Sequence, residues 1–278
     1  MEILVTGVLL SGTYALIALG LTLQYGVAGI MKLATGETLG AACFGAFWFF
    51  SALHINPVES LFLVAPIAFV VNWFVYSLLL RPLVKRAKNR GMLEVDSILA
   101  TFGLMFLFQG LMLLGFGGEY FSYSFLAEPF DIFGSPFGLN RVVAFIAAVV
   151  IAVALYVFLI HTRYGTAIRA VAVDPVSAGL VAINVARACA FAFALGGALT
   201  AAAGGLLSTF YTFNASMGVV FTMKALIIVI MGGVGDVRGA VLAALILGIA
   251  ETTVASLIDP GLTLAATYFL FILTLLFR

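Results

Sequence analysis

The chain has 278 residues, 64% of them Ala, Val, Ile, Leu, Met, Phe, Trp, Tyr or Cys and only 9% charged, against roughly 25% charged in a soluble domain. That composition argues against a water-soluble globular protein, and the near balance of 13 Lys and Arg with 12 Asp and Glu leaves no overall field to draw nucleic acid or an acidic partner. At roughly 20 apolar residues per spanning helix, the length predicts about eight to ten spanning or re-entrant segments. The expected fold is an all-α polytopic transmembrane helix bundle, a single domain over 1–278.

Apolar runs fall at roughly 3–23, 37–53, 58–80, 97–115, 141–160, 189–210, 222–235, 239–258 and 262–277, a working count of nine. The opening Met-Glu-Ile-Leu-Val lacks the basic n-region of a cleavable signal, so the first run is expected to remain as a helix. The stretch from Tyr25 to Gly36 is interrupted by glycine and carries Lys32. The 222–235 run is short and ends in Gly232-Gly233-Val234-Gly235. It reads as a broken or re-entrant segment, tolerated only where protein or a cavity covers the backbone.

Basic residues collect in cytoplasmic loops. Arg81, Lys85, Arg86, Lys88 and Arg90 crowd one loop, and Arg163, Arg169 and Arg187 mark a second. The 116–140 loop between them holds Glu119, Glu128 and Asp131 and no Lys or Arg, which places it outside. Alternation then puts the N-terminus outside and Arg238 and Arg278 inside. In the 189–210 run, Gly197, Ala201 and Gly205 recur every four residues, a stripe that lets helix backbones approach closely in lipid. Gly239, Ala243, Leu247 and Gly248 form a less regular one. Cys43 and Cys189 lie far apart inside apolar runs and read as small packing residues.

Candidates for chemistry are few. His54 and His161 fall at opposite membrane boundaries without a ligand partner at helical spacing, so a metal site is not expected. HExxH, GxSxG and GxxxxGK[ST] are all absent, which leaves any ATP binding to another chain. Glu251 lies about 18 Å along its helix, where an ionisable group costs about 3 kcal/mol on insertion scales. It must face protein, a cavity or a protonated partner, as a structural hydrogen bond or as part of a translocation route. Glu37, Lys32 and Lys224 lie nearer segment ends, where snorkelling is the expected explanation.

The most informative polar stretch runs from Arg163 to Asn184. Asp174 followed by Pro175 reads as N-cap and first helical position, predicting a helix of about two turns. Val176, Leu180 and Ile183 fall on one face of it. Such a helix either lies on its own protein or docks into a groove of a cytoplasmic partner.

Three blocks, in order along the chain, are similar to permease subunits of the branched-chain amino acid type of ABC importers. The first is Gly12 to Glu37, with Tyr14, Gln24, Lys32 and Thr35 inside it. The second is the 163–184 loop, with Gly165 and Arg169 in a Gly-x-Ala-x-Arg-Ala-x-Ala-like segment. The third runs from Met231 to Glu251. The resemblance implies a half-permease pairing with a second, related permease, two cytoplasmic P-loop ATPases that hold ATP and Mg, and an extracytoplasmic solute-binding protein. It places the chain in a bacterial or archaeal inner membrane, moving a hydrophobic amino acid or related carboxylate by alternating access without covalent chemistry. It makes the 174–184 segment the coupling helix, within a cytoplasmic coupling region of about 162–188 that includes Ala178, Gly179 and Asn184. Tyr14, Gln24, Lys32, Thr35, Glu37 and Glu251 become candidates for the translocation path.

Two departures stand out. Lys32-Leu-Ala-Thr-Gly36 replaces the family's usual Asn-Phe-Ala-His-Gly, and a lysine there favours a carboxylate or other anionic group. The chain stops at Phe277-Arg278, where the family usually continues in a Pro-x-Gly-Leu-Phe-Gly-like tail. The rival reading is a secondary transporter or channel using Glu251 as its coupling or pore carboxylate. Such a carrier has no need of an exposed, capped helix after Asp174.

Overall fold

The computed structural model describes every residue except 1, 87–89, 127, 133, 134 and 278, so Lys88 and Arg278 lie outside the described residues. The helices are α1 (Glu2–Ala28), α2 (Thr35–Leu53), α3 (Pro57–Phe74), α4 (Arg81–Arg86), α5 (Arg90–Phe116), α6 (Leu139–His161), α7 (Arg163–Val173), α8 (Pro175–Leu180), α9 (Val185–Leu207), α10 (Gly218–Gly232), α11 (Val237–Leu257) and α12 (Thr263–Phe277). A π-helical turn, Val75–Leu80, joins α3 to α4. Among the described residues six stretches are long and apolar enough to cross a bilayer: Glu2–Ala28, Pro57–Arg86, Gly91–Phe116, Leu139–His161, Val185–Leu207 and Val237–Leu257. With α2, α10 and α12 they account for all nine expected runs. A small antiparallel hairpin, β1 (Pro129–Ile132) with β2 (Ser135–Gly138), lies in the long loop before α6.

Helix α1 is apolar on every side and carries no charge after Glu2, the pattern of a helix surrounded by others. It is buried from Ser11 to Gln24. It packs against α9 and α11, and also α6 and α10, while α9 packs on its far side against α2 and α3. Glycine sets these approaches. A Cβ on Gly20 would lie 2.5 Å from the Gly196 carbonyl oxygen, and one on Gly7 would lie 2.8 Å from the Ile249 Cα. The predicted stripe on α9 is a packing face: Gly197 meets Asn72, Ala201 clusters with Ala42 and Val64, and Gly205 meets Leu61. Adjacent Gly196 and Gly204 serve two further neighbours, α1 and α2.

Two helices begin inside the bundle. After α1 the chain runs non-helically through Gly29 to Ala34, with Ile30, Lys32 and Ala34 buried. Backbone groups in such a break need partners where water is absent, and threonines from other helices supply them. The Thr101 hydroxyl contacts the Met31 carbonyl at 3.2 Å and accepts from the Leu33 N–H at 3.3 Å. The Thr222 hydroxyl lies 3.1 Å from the Leu33 carbonyl and accepts from the Gly36 N–H at 2.8 Å. Helix α10 has 15 residues, about 22 Å, too short for a hydrocarbon layer of about 30 Å. The segment before it pairs Phe213 with Phe121 through two backbone bonds of 2.8 and 2.9 Å. Those rings join Phe44, Phe47 and Phe116 in one aromatic cluster.

Candidate functional site

The polar side chains fall into two groups, one buried within the bundle and one on the face that carries α7 and α8. In the first, Glu251 of α11 is met from two sides. The Lys224 ammonium donates to its Oε1 at 2.5 Å, and the Tyr14 hydroxyl donates to its Oε2 at 2.9 Å. Lys224 also donates to the Tyr14 oxygen at 2.8 Å and lies 4.9 and 5.5 Å from the ring centroids of Tyr14 and Phe221. Three helices, α1, α10 and α11, therefore share one buried ion pair. The snorkelling expected of Lys224 is overturned: the side chain points inward, because a carboxylate and two aromatic rings await it there.

Lys32 and Glu37 do not snorkel either. Lys32 is fully buried and donates to Asn72 Oδ1 at 2.5 Å and Thr38 Oγ1 at 2.8 Å, with the Phe193 ring 5.6 Å away. Its charge is met by dipoles and a ring. Thr35 donates to the Lys32 carbonyl at 2.7 Å, closing the turn that starts α2. Glu37 stands in the first turn of α2 and packs against Gly218, the first residue of α10. Neither carboxylate oxygen has a hydrogen-bond partner among the described residues. Two helix N-termini, each with a partial positive charge, flank it. Gln24 bridges α1 to α9 by donating to the Phe193 carbonyl at 3.0 Å. The six path candidates thus lie buried in the bundle interior, with Tyr14 and Glu251 in one cluster and Lys32 and Thr35 in another.

The second group is exposed. Thr162 caps α7, its hydroxyl accepting from the Gly165 N–H at 3.0 Å, and Gly165 packs on the last turn of α6, where a Cβ would lie 2.5 Å from the Leu159 carbonyl oxygen. Asp174 caps α8 by accepting from the Val176 N–H at 2.9 Å and the Ser177 hydroxyl at 2.5 Å. The Ser177 hydroxyl, with the N–H groups of Ser177 and Val176, holds the Asp174 carboxyl below its ordinary value.

Helix α8 is shorter than predicted. It ends at Leu180, because Ala182 adopts a left-handed φ of 62° and the Ile183 N–H turns back to the Ala178 carbonyl at 3.2 Å. Ile183 consequently leaves the expected stripe and packs against the core, while Asn184 caps α9 by accepting from the Arg187 N–H at 3.1 Å. Ala178 is buried as the anchor of α8. Val173, Val176 and Leu180 are 88%, 76% and 84% exposed, flanked by Pro175 and Gly179 and by exposed Arg163 and Arg169. The eleven-residue α7 preceding α8 was not predicted; Thr162, a residue type favoured at helix N-caps, is the one local signal for its start.

A family model described as "Branched-chain amino acid transport system / permease component" matches residues 3–277. The chain belongs to this permease family. Relatives include the high-affinity branched-chain amino acid transport system permease proteins LivH of Escherichia coli K12, 30% identical over 97% of this chain and 91% of that protein, and BraD of Pseudomonas aeruginosa, 30% identical over 99% and 92%. The ribose import permease protein RbsC of Haemophilus influenzae is 30% identical over 84% of this chain and 71% of its own length. Among solved structures, PsaBC from Streptococcus pneumoniae in complex with Fab aligns with a TM-score of 0.52 at 9% identity, covering 99% of this chain and 91% of that one. The fold is therefore shared with a chain that retains little sequence identity, and by its family the chain is a multi-pass membrane permease component.

Proposed function

We propose that this permease component is one of two membrane subunits of an ATP-driven importer, and that α7 and α8 form its contact with a cytoplasmic ATPase. The observation that carries the reading is α8 itself: a capped helix anchored by Ala178 that turns Val176 and Leu180 outward. An isolated protein gains nothing by exposing such apolar side chains, whereas a partner's groove would bury them. The chain has no phosphate-binding loop, so ATP and Mg belong to the partner. In this reading the α7 and α8 face is cytoplasmic, the N-terminus lies outside and the C-terminus inside the inner membrane. A second, related permease and an extracytoplasmic binding protein complete the assembly. The solute is a branched-chain or other hydrophobic amino acid, or a related carboxylate, as the names of the relatives suggest.

The rival use of Glu251 as a coupling carboxylate draws little support, since its charge is already met by Lys224 and Tyr14. The deciding experiment purifies the chain from its native membrane in mild detergent, alone and as Asp174→Lys with Leu180→Glu. The wild-type chain is expected to bring P-loop ATPase chains with it, and the double variant to lose them while staying monodisperse. Solute transport by vesicles containing no ATPase would overturn the proposal.

A further inference from the structure

A groove between α1, α6 and α11 opens on the outer surface of the bundle, with a volume of about 500 Å³. Its floor is made of Gly12, Ala15 and Ala148, and its rim of exposed Val149, Val153 and Leu242. Along α6 it runs from Phe145 to Tyr156, eleven helical steps or about 16 Å. That is close to half of a hydrocarbon layer about 30 Å thick, the reach of one acyl chain in one leaflet.

The groove changes character at its end nearest α7. Tyr156, Val237 and Arg238 line it and also line a second cavity of about 280 Å³, whose walls include Arg169 and Asp236, so the two spaces adjoin. Arg238 donates through Nη2 to the Tyr156 hydroxyl at 2.5 Å and stands 5.5 Å from that ring's centroid, which fixes the guanidinium at the mouth. Asp236 accepts from the Arg238 N–H at 2.9 Å as the cap of α11. Arg169 and Arg238 against Asp236 leave the mouth with one net positive charge. An apolar slot one leaflet deep, ending at Tyr156 and Arg238 with Arg169 in the adjoining cavity, is complementary to a chain of methylenes ending in a phosphate.

We infer that this groove binds an anionic phospholipid of the leaflet on the α7 and α8 side, one acyl chain lying in the α1, α6 and α11 slot and the phosphate at Arg238 and Arg169. Phosphatidylcholine shares the phosphate and the chain but carries a headgroup cation that cancels the phosphate charge, so the positive mouth selects against it. The small floor residues make room for the chain, since a larger side chain at Ala148 or Ala152 would fill the slot.

The test uses the full chain purified in mild detergent and rebuilt into nanodiscs of phosphatidylcholine with a graded fraction of phosphatidylglycerol. Tightly held lipid is measured by native mass spectrometry, and melting temperature is followed in parallel. The wild-type chain is expected to retain phosphatidylglycerol and to melt higher as its fraction rises. Arg169→Gln and Arg238→Gln are each expected to weaken retention roughly fivefold. Ala152→Phe is expected to abolish it for both lipids while leaving the helical circular dichroism unchanged. Equal retention of the two lipids by the wild-type chain would overturn the anionic preference. Unchanged retention in Ala152→Phe, or a cross-linked second copy of the chain seated on Val149 and Leu242 in place of lipid, would overturn the site itself.

Discussion

Replacing Glu251 with Leu isolates the Lys224 ammonium inside the bundle, because the side chain is only 6% exposed and its one carboxylate neighbour is gone. Breaking a buried pair by removing one partner costs about 3–5 kcal/mol, whereas exchanging both partners for apolar residues of similar size is often neutral. Glu251→Leu and Lys224→Met are therefore each expected to destabilise the chain by about 3 kcal/mol or more. Lys224→Met with Glu251→Leu should recover most of that loss. A residual deficit of about 1–2 kcal/mol remains, since the Tyr14 hydroxyl loses its partners and two rings lose a cation. Tyr14→Phe, which removes two charge-assisted bonds but leaves the ion pair, should cost about 1.5–3 kcal/mol. Unfolding in mixed micelles of increasing sodium dodecyl sulfate, followed by the fluorescence of Trp48 and Trp73, measures all four variants. A double variant whose deficit equals the sum of the two singles would refute the reasoning, for it would mean that Lys224 and Glu251 do not share a site.

Glycine contacts give a paired forecast. Gly196→Ala puts a methyl against the Gly20 carbonyl and the Gln24 side chain and should cost about 1–3 kcal/mol. Gly103→Ala, with open space around it, should be neutral or stabilising by up to about 1 kcal/mol, and the same unfolding titration separates them. The depressed Asp174 carboxyl favours the capped α8 at every pH above its ordinary value of 3.8, and that contribution fades only as pH falls below it toward the lower folded value. Proteolysis at 174–184 should therefore be flat from neutral pH to about pH 5 and in Asp174→Asn should be faster throughout. Lys32→Asn removes the buried cation facing Asn72 and Thr38; uptake of a carboxylate solute by the assembled transporter should fall, and unchanged uptake would remove Lys32 from any role in recognising the anion.

The run count and the packing stripe were legible because they depend on local composition: nine apolar runs became nine helices, and Gly197, Ala201 and Gly205 became a contact face. Asp174-Pro175 announced α8 for the same reason, since a cap acts within one turn. The partners of Glu251 were not legible. Tyr14 is 237 residues away and Lys224 is 27 residues away, and pairing across helices follows from how they cross, which no short window contains. The end of α8 was not legible because apolar spacing continues to Ile183, while the left-handed turn at Ala182 carries Ile183 out of the stripe and onto the core. Asn72, Thr101 and Thr222 passed as ordinary polar residues in apolar runs. Their roles appear only once the break at 29–34 is seen to need hydrogen-bond partners from other helices.

These contacts also bear on how such a permease component could change access. Helix α10 is tied at its N-terminal end to the start of α2 by the bond from Gly36 to Thr222, and further along by Lys224 to α1 and α11. Moving α10 alone would strip Glu251 of its counter-charge and leave the Gly36 N–H and the Leu33 carbonyl without their Thr222 partner in an interior that offers no water. By contrast α5 and α12 expose long apolar faces, including Leu99, Leu107, Leu114, Phe269, Ile272 and Leu276, and α5 has only slight contact with the rest of the bundle. Local rearrangement is thus cheap at α5 and α12 and expensive at α1, α2, α9, α10 and α11. A change of access driven from α8 would then carry the central helices as one body, because α8 is joined through α7 and α9 to α1, and would be absorbed at the faces of α5 and α12.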